Sequence, residues 1–274
     1  QRRGDEQQRD QRHAADELDE ADAHRADDVR SFIALLWRVR ILFDEHIIKW
    51  VDQDNEVVHL ISAIHVSTSN GKQYMGRSRT ADSHHGFSLL QSMLYHSQEI
   101  TTQYWLTPFL LHLDRNADRS HGEHFNYLQH LDNHLLGGEA DKPLVERTAT
   151  FMAEPWHVTA LRHRQALKAA SGVGFAHYWF YKLEFVLWWL KQDKHPNWKS
   201  FRFTAKNSVE HVGPQTPLAY DQDRVHEMLH CFGNLALVSR SVNSEFSNNT
   251  FKVKQAQFLS KNKNQVDSLK LDLV

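Results

Sequence analysis

The chain has 274 residues, 41% of them hydrophobic and 24% charged, so it can bury a sizeable core and is not a disordered chain. Its 32 basic and 34 acidic side chains nearly balance, which excludes a strongly basic nucleic-acid coat but not a local basic groove. The single Cys231 excludes an internal disulfide and a zinc site of paired cysteines, and it favours a reducing, cytoplasmic compartment. The sequence has no run of about 20 apolar residues and no secretory signal, so we expect no membrane span.

The first two thirds of the chain predict a charged arm followed by a helical domain. Residues 1–30 are rich in Arg, Asp and Glu, which is typical of a solvated arm or linker. The helical domain is predicted over 31–198, and its first helix, at 31–51, is expected to begin at Ser31 and to be buried along one face. Asn70-Gly71 predicts a tight turn between two short strands, at 57–65 and 73–75.

Three more amphipathic patterns and one apolar segment complete this domain. The amphipathic helices are predicted at 87–113 with Pro108 as a kink or break, at 125–136 with Gly137-Gly138 as its end, and at 158–170. Residues 175–191 are apolar on nearly every side, which predicts a central helix enclosed by the others.

The last part of the chain, 199–274, predicts a small α+β domain. Its pattern changes after Trp198 from long apolar helices to short segments separated by loops. Strands are predicted at 201–203, 208–212 and 235–238, and helices at 243–246 and 251–259.

Two strings in this last domain carry side chains suited to phosphodiester hydrolysis. Glu210 and His211 stand together at the end of a predicted strand, and Asn234 is followed nine residues later by Asn243. A histidine is roughly three-quarters neutral at pH 7 and can accept a proton from water, while carboxylate and amide oxygens suit Mg²⁺ or Mn²⁺. Adjacent strand residues point to opposite faces, so Glu210 and His211 share one site only if the following loop turns them together.

These strings resemble a known nuclease family. The spacing of acidic-His, Asn-Leu-x-Leu and a second Asn is similar to that of HNH nucleases with the ββα-metal fold. The fuller strings, Val-Glu-His-x-x-Pro-Gln from Val209 and Gly-Asn-Leu-x-Leu from Gly233, resemble the C-terminal nuclease domain of GmrSD-type restriction enzymes and SspE-type phage-defence effectors. The segments 105–110 and 181–184 are similar to the helices that precede that domain.

The resemblance implies a mainly α chain with a small HNH module that acts as a metal-dependent DNA endonuclease. Such an enzyme would nick or cut duplex DNA in an anti-phage, phosphorothioate-linked or modification-dependent restriction system. The implied roles are general base for His211, loop-fixing and imidazole-orienting residue for Asn234, ligands of one Mg²⁺ or Mn²⁺ for Glu210 and Asn243, and phosphate contacts for Lys252 and Lys254. Gly213 stands where a bulkier residue is expected, so we expect a looser loop there.

Other readings of the sequence remain open at this stage. A non-catalytic module for binding DNA or protein, built on a nuclease scaffold, and an RNase use the same residue types. His226 with His230, and His130 with His134, fit partly exposed helical faces better than zinc sites. The chain has no P-loop and does not begin with Met. We therefore expect a fragment or a partner subunit of a longer effector, whose upstream domain binds nucleotide and senses DNA modification.

Overall fold

The computed structural model describes residues 25–53, 56–79, 85–99, 101–138, 141–157, 167–215, 228–261 and 266–274. Helices predominate in these ranges, which confirms the mainly α class. The first helix, α1, covers residues 25–46. The other helices are α2 (His85–His96), α3 (Leu106–Arg115), α4 (His121–Leu135), α5 (Leu144–Ala153), α6 (His177–Lys191), α7 (Arg240–Phe246), α8 (Phe251–Lys261) and α9 (Leu269–Leu273). None of the helices in the described ranges has the length and apolar character that crossing a membrane requires.

In the described ranges, six strands form three separate two-stranded antiparallel sheets. They are β1 (Lys49–Gln53) with β2 (Glu56–Leu60), β3 (Ser62–Ser69) with β4 (Lys72–Arg79), and β5 (Ser208–His211) with β6 (Leu235–Val238). The predicted turn at Asn70-Gly71 is confirmed, and both residues have positive φ, 52° and 73°, as a tight hairpin turn requires. The β1–β2 hairpin was not predicted.

Helix α1 differs from its prediction at both ends and on its apolar face. It extends upstream of Ser31, so this residue is not its cap, and it ends at residue 46, because β1 begins at Lys49. Phe32 and Trp37 are 58% and 69% exposed, and only the last turn, with Leu42, reaches the core. The periodicity correctly identified an amphipathic helix, but whether a face is covered depends on the rest of the chain.

The predicted helix at 87–113 is two helices, and the break between them lies at residues 97–105 rather than at Pro108. Pro108 lies in the first turn of α3, where a backbone N–H has no partner within the helix and its loss costs nothing. Helix α4 begins at a capping box between Ser120 and Glu123 and ends just before Gly137-Gly138, as predicted. The helix predicted at 158–170 lies mostly outside the described residues.

Helix α6 connects the helical body to the last part of the chain. It packs against α2 on one side and against α9 and β6 on the other. Its Glu184 carboxylate accepts hydrogen bonds from Ser268 Oγ at 2.6 Å and from Leu269 N at 2.5 Å, which caps the start of α9. The enclosure predicted for this helix is incomplete, because Leu190 is exposed.

The last part of the chain contains one two-stranded sheet followed by three short helices. The strands predicted near 208–212 and 235–238 are confirmed as β5 and β6, and the two helices predicted after them are confirmed as α7 and α8. Residues 201–203 are not a strand, although Phe201 and Phe203 are buried. The alternating aromatic residues therefore indicate a buried segment here, but this segment does not pair with another strand.

Candidate active site

Strand β5 ends at His211, directly opposite Leu235 at the start of β6, and Glu210 lies opposite Ala236. All four residues are buried. Consecutive residues of a strand point to opposite faces, so the Glu210 and His211 side chains enter different environments. The hydrogen-bond partners of the two side chains differ accordingly.

The loop after β5 is held by the side chain of Asn234. Its Oδ1 accepts a hydrogen bond from Gly213 N at 2.8 Å, and its Nδ2 donates one to Leu229 O at 3.0 Å. The backbone of Asn234 also accepts a hydrogen bond from Val212 N at 2.8 Å. Asn234 thus lies where a loop-fixing residue is expected, although its side chain bonds to the backbone around His211 and not to the ring.

Gly213 has a different effect from the one expected. A Cβ at this position would lie 3.1 Å from Asn234 Oδ1, closer than side chains normally approach. The absence of a side chain therefore allows the asparagine to reach the loop backbone. The glycine contributes to a fixed loop rather than to a loose one.

The His211 ring lies between an amide and a second imidazole. Gln215 Nε2 is 3.1 Å from Nδ1, and His230 Nδ1 is 3.3 Å from Nε2. His211 is only 5% exposed. Burial lowers the pKa of the His211 ring below its usual value, and His230 and then Lys254 lower it further. The ring is therefore neutral at pH 7 and has a nitrogen that can accept a proton.

The sequence did not predict that His230 lies beside His211. We expected a partly exposed helical face, but His230 lies in a turn at 228–230, just before Asn234, and is exposed beside the buried His211. Its carbonyl accepts a hydrogen bond from Gly172 N at 3.0 Å, which fixes the turn against the segment before α6. The sequence feature that could have indicated this contact is the position of His230, four residues before Asn234. His226, its expected companion, lies outside the described residues.

Glu210 lies on the other face of β5 and is bound by a lysine of α8. Lys254 Nζ donates to Glu210 Oε1 at 2.5 Å and to the backbone oxygen of His211 at 2.8 Å. Lys254 is only 3% exposed. Burial raises the pKa of the Glu210 carboxyl, and the Lys254 ammonium opposes that rise. An ammonium engaged in this way is not available to a phosphate in solvent, whereas Lys252 is exposed on the same helix.

The metal-ligand roles expected for Glu210 and Asn243 stay a prediction. Asn243 is part-buried on α7, and this helix packs against β5, the strand that carries Glu210 and His211. Within the ranges that the structure describes, no cluster of three or more His, Cys, Asp or Glu side chains could hold a metal ion. The Lys254 ammonium lies against the Glu210 carboxylate, so this carboxylate is a poor ligand for a divalent ion.

Comparison with known protein families identifies this part of the chain. Residues 162–272 match the family model of the C-terminal domain of GmrSD restriction endonucleases. The matched segment covers less than half of the chain. It includes α6, begins upstream of the domain boundary predicted at 199, and contains every candidate site residue named above. Comparisons with curated proteins and with solved structures give no match. The expected resemblance is confirmed over this segment: residues 162–272 are similar to the C-terminal domain of GmrSD restriction endonucleases.

Proposed function

We propose that the chain is a DNA endonuclease of a bacterial restriction or anti-phage system, in which His211 activates the attacking water. One observation carries the proposal. The His211 imidazole, whose pKa is lowered by burial, lies at the end of β5 beside the Gln215 amide and the exposed His230, inside a segment that matches the C-terminal domain of GmrSD restriction endonucleases. Imidazole is the side chain best suited to accept a proton near pH 7.

The proposed reaction is the hydrolysis of one phosphodiester bond. An unprotonated ring nitrogen of His211 accepts a proton from water as the water oxygen bonds to phosphorus. The bond from phosphorus to the leaving oxygen then breaks, and that oxygen takes up a proton from solvent. General-base help of this kind contributes about 10²–10⁴-fold to the rate. Asn234 keeps the loop, and with it the ring, in place.

A divalent cation, Mg²⁺ or Mn²⁺, stays part of the proposal because the family resemblance implies it. When bound, it would stabilise charge on the phosphate and the leaving oxygen. We assign no reaction step to it, because the Glu210 carboxylate is already paired with the Lys254 ammonium.

The direct test is the conversion of supercoiled plasmid by the purified chain with Mn²⁺, with Mg²⁺, or with a chelator. We expect open-circular or linear product from the wild type and at least about 100-fold less from His211→Gln. His157→Gln, at an exposed histidine outside the site, is the matched control. Equal cleavage by wild type and His211→Gln contradicts the role of His211. No cleavage by either contradicts the proposed activity of this chain.

The expected contact between Lys252 and phosphate has its own test. Lys252 is exposed on α8, so its ammonium is free to approach a DNA backbone. We expect Lys252→Ala to weaken DNA binding equally for different sequences and to lower the salt slope of the affinity by about 1. Binding with no cleavage in any metal would favour the non-catalytic alternative. Faster cleavage of RNA than of DNA in parallel assays would favour the RNase alternative.

The biological setting is proposed from the same family match. We propose that duplex DNA is the substrate and that an upstream sensor or nucleotide-binding domain, or a partner subunit, directs the nuclease to modified DNA. If so, adding such a partner to the purified chain should change its cleavage rate on modified and unmodified plasmid by different factors.

A further inference from the structure

The buried contact between β5 and α8 pairs two residues to which the resemblance gave separate roles. Glu210 was expected to bind a metal and Lys254 to bind phosphate. Their charged groups lie 2.5 Å apart, and both residues are buried. The same ammonium donates to the backbone oxygen of His211 at 2.8 Å. One lysine therefore contacts both the carboxylate and the backbone of the proposed catalytic histidine.

The cavity beside this pair is too small to hold a hydrated ion. The cavity beside it has a volume of about 10 Å³, at or below the 10–15 Å³ that one water molecule occupies by the same measure. Apart from Gln255 and the pair itself, its lining is apolar: Val212, Phe246, Phe251, Phe258, Leu271 and Val274. A magnesium ion usually keeps several water ligands, and a second cation next to the lysine ammonium would be repelled by it.

We propose that Glu210 and Lys254 form a buried ion pair that positions His211, and that Glu210 does not bind the divalent cation. The proposal rests on the proposed function in one respect, the catalytic role of His211. Lys254 holds the end of β5 through the His211 carbonyl, and Glu210 supplies the charge that allows the ammonium to be buried there. Both are positioning residues that act through His211.

Four variants test this pairing: Glu210→Gln, Lys254→Met, the double variant, and Lys254→Arg as the conservative replacement. An exposed ion pair between α7 and α8, Glu245 with Lys261, gives the matched control when it receives the same two substitutions. Removing one partner leaves a buried charge uncompensated, so each single variant should unfold at a lower temperature. We expect the double variant to lose less than the sum of the two single losses, and the control losses to be small and additive.

Metal binding and kinetics separate positioning from ligation. We expect Glu210→Gln and Lys254→Met to bind Mn²⁺ in calorimetric titrations with the wild-type affinity, within about twofold. In cleavage assays both should lower kcat by about tenfold or more with an unchanged KM for DNA, because a small displacement of a catalytic group is costly. Lys254→Arg should recover part of kcat.

Three results would overturn the pairing, one each from the metal titrations, the kinetics and the unfolding cycle. A loss of Mn²⁺ binding in Glu210→Gln that Lys254→Met does not share would make Glu210 a metal ligand. A raised KM for DNA with unchanged kcat in Lys254→Met would make Lys254 a phosphate contact. If the wild type cleaves no DNA, the proposed function fails. The unfolding cycle and the Mn²⁺ titrations still decide the pairing, and additive losses in the cycle would refute it.

Discussion

Two histidine pairs in this molecule have nearly the same geometry and different access to solvent. In the helical body, His112 Nε2 lies 3.2 Å from His124 Nδ1, and at β5 His211 Nε2 lies 3.3 Å from His230 Nδ1. The ring centroids are 5.3 Å apart in both pairs, with interplanar angles of 86° and 78°. A side-chain amide approaches Nδ1 of the first ring in each pair, from Asn116 and Gln215.

The pairs differ in their second ring. His124 is fully buried, and its Nε2 has no hydrogen-bond partner in the described part of the chain. His112 stacks on Tyr127 with ring centroids 3.7 Å apart. His230, in contrast, is exposed. Neither burial nor contact between two imidazoles therefore marks a functional site here. What distinguishes the pair at β5 is that its second ring, His230, reaches solvent.

The largest expected effect is a difference between the two pairs in their response to the same substitution. His211→Gln should lower DNA cleavage by about 10²–10⁴-fold, a loss far larger than its effect on stability. His112→Gln should leave the cleavage rate nearly unchanged and destabilise the fold by about 1–3 kcal/mol, because a buried hydrogen bond and a ring stack are lost. Cleavage assays and thermal unfolding of both variants check this. Similar losses of activity in the two variants would show that the pairs do not differ in function.

Acid should destabilise the helical body through its buried histidines. Burial lowers the pKa of His112 to about 4 and of His59 to about 3. The unfolded chain has the ordinary histidine pKa of about 6.5, so it binds more protons than the folded chain below that pH. Stability should therefore be nearly constant above pH 7 and fall as the pH drops from about 6.5 to about 4. Melting temperatures across this range test the slope.

The contribution of His112 to the pH dependence of the melting temperature has a matched control. His112→Gln removes one of the groups that bind a proton on unfolding, so its melting temperature should fall less steeply with pH than that of the wild type. His157→Gln, at an exposed site, should keep the wild-type slope. An unchanged slope in His112→Gln would mean that other groups control the acid sensitivity.

A smaller effect is expected when the loop after β5, which Asn234 holds in place, is loosened. Asn234→Ala removes the hydrogen bonds with Gly213 N and Leu229 O and leaves two part-buried backbone groups without these partners, at a cost of about 1 kcal/mol or somewhat more. Cleavage should fall because His211 is no longer fixed. The opposite pattern, a stability loss with full activity, would show that the loop does not position the ring.

The smallest expected effect concerns the support of His230. Gly172 has a positive φ of 55°, and a Cβ there would lie 3.0 Å from His230 Nδ1. Gly172→Ala should therefore cost about 1 kcal/mol or somewhat more and displace the exposed ring. Unfolding and cleavage assays of Gly172→Ala measure that support. Gly174→Ala is the control, because a Cβ at residue 174 has open space. Identical results for the two variants would mean that the ring position is insensitive to Gly172.

Local features of the fold were predictable from the sequence. The turn at Asn70-Gly71 requires positive φ, and the strands near His211 and Leu235 have short apolar patterns bounded by turn residues, so neighbouring residues alone determine them. The exposed face of α1 was not predictable, because a periodic apolar face does not show whether another segment covers it.

The site was predictable only in its motifs. His211 and Asn234 belong to recognisable strings and lie close together through the β5–β6 register. The contact with His230 depends on a turn held by Gly172, about sixty residues earlier in the chain. The pairing of Glu210 with Lys254 joins a strand to a helix 44 positions later. Such contacts arise from tertiary packing, and no spacing rule in the sequence specifies them.

The most direct test of the central claim is the single-turnover rate of DNA cleavage, measured with enzyme in excess over a bound duplex. Under these conditions binding is saturated, and the rate reports only the chemical step. We predict that His211→Gln binds the duplex as tightly as the wild type and cleaves it at least about 100-fold more slowly. Wild-type cleavage rates in His211→Gln would contradict the assignment of His211 as the general base.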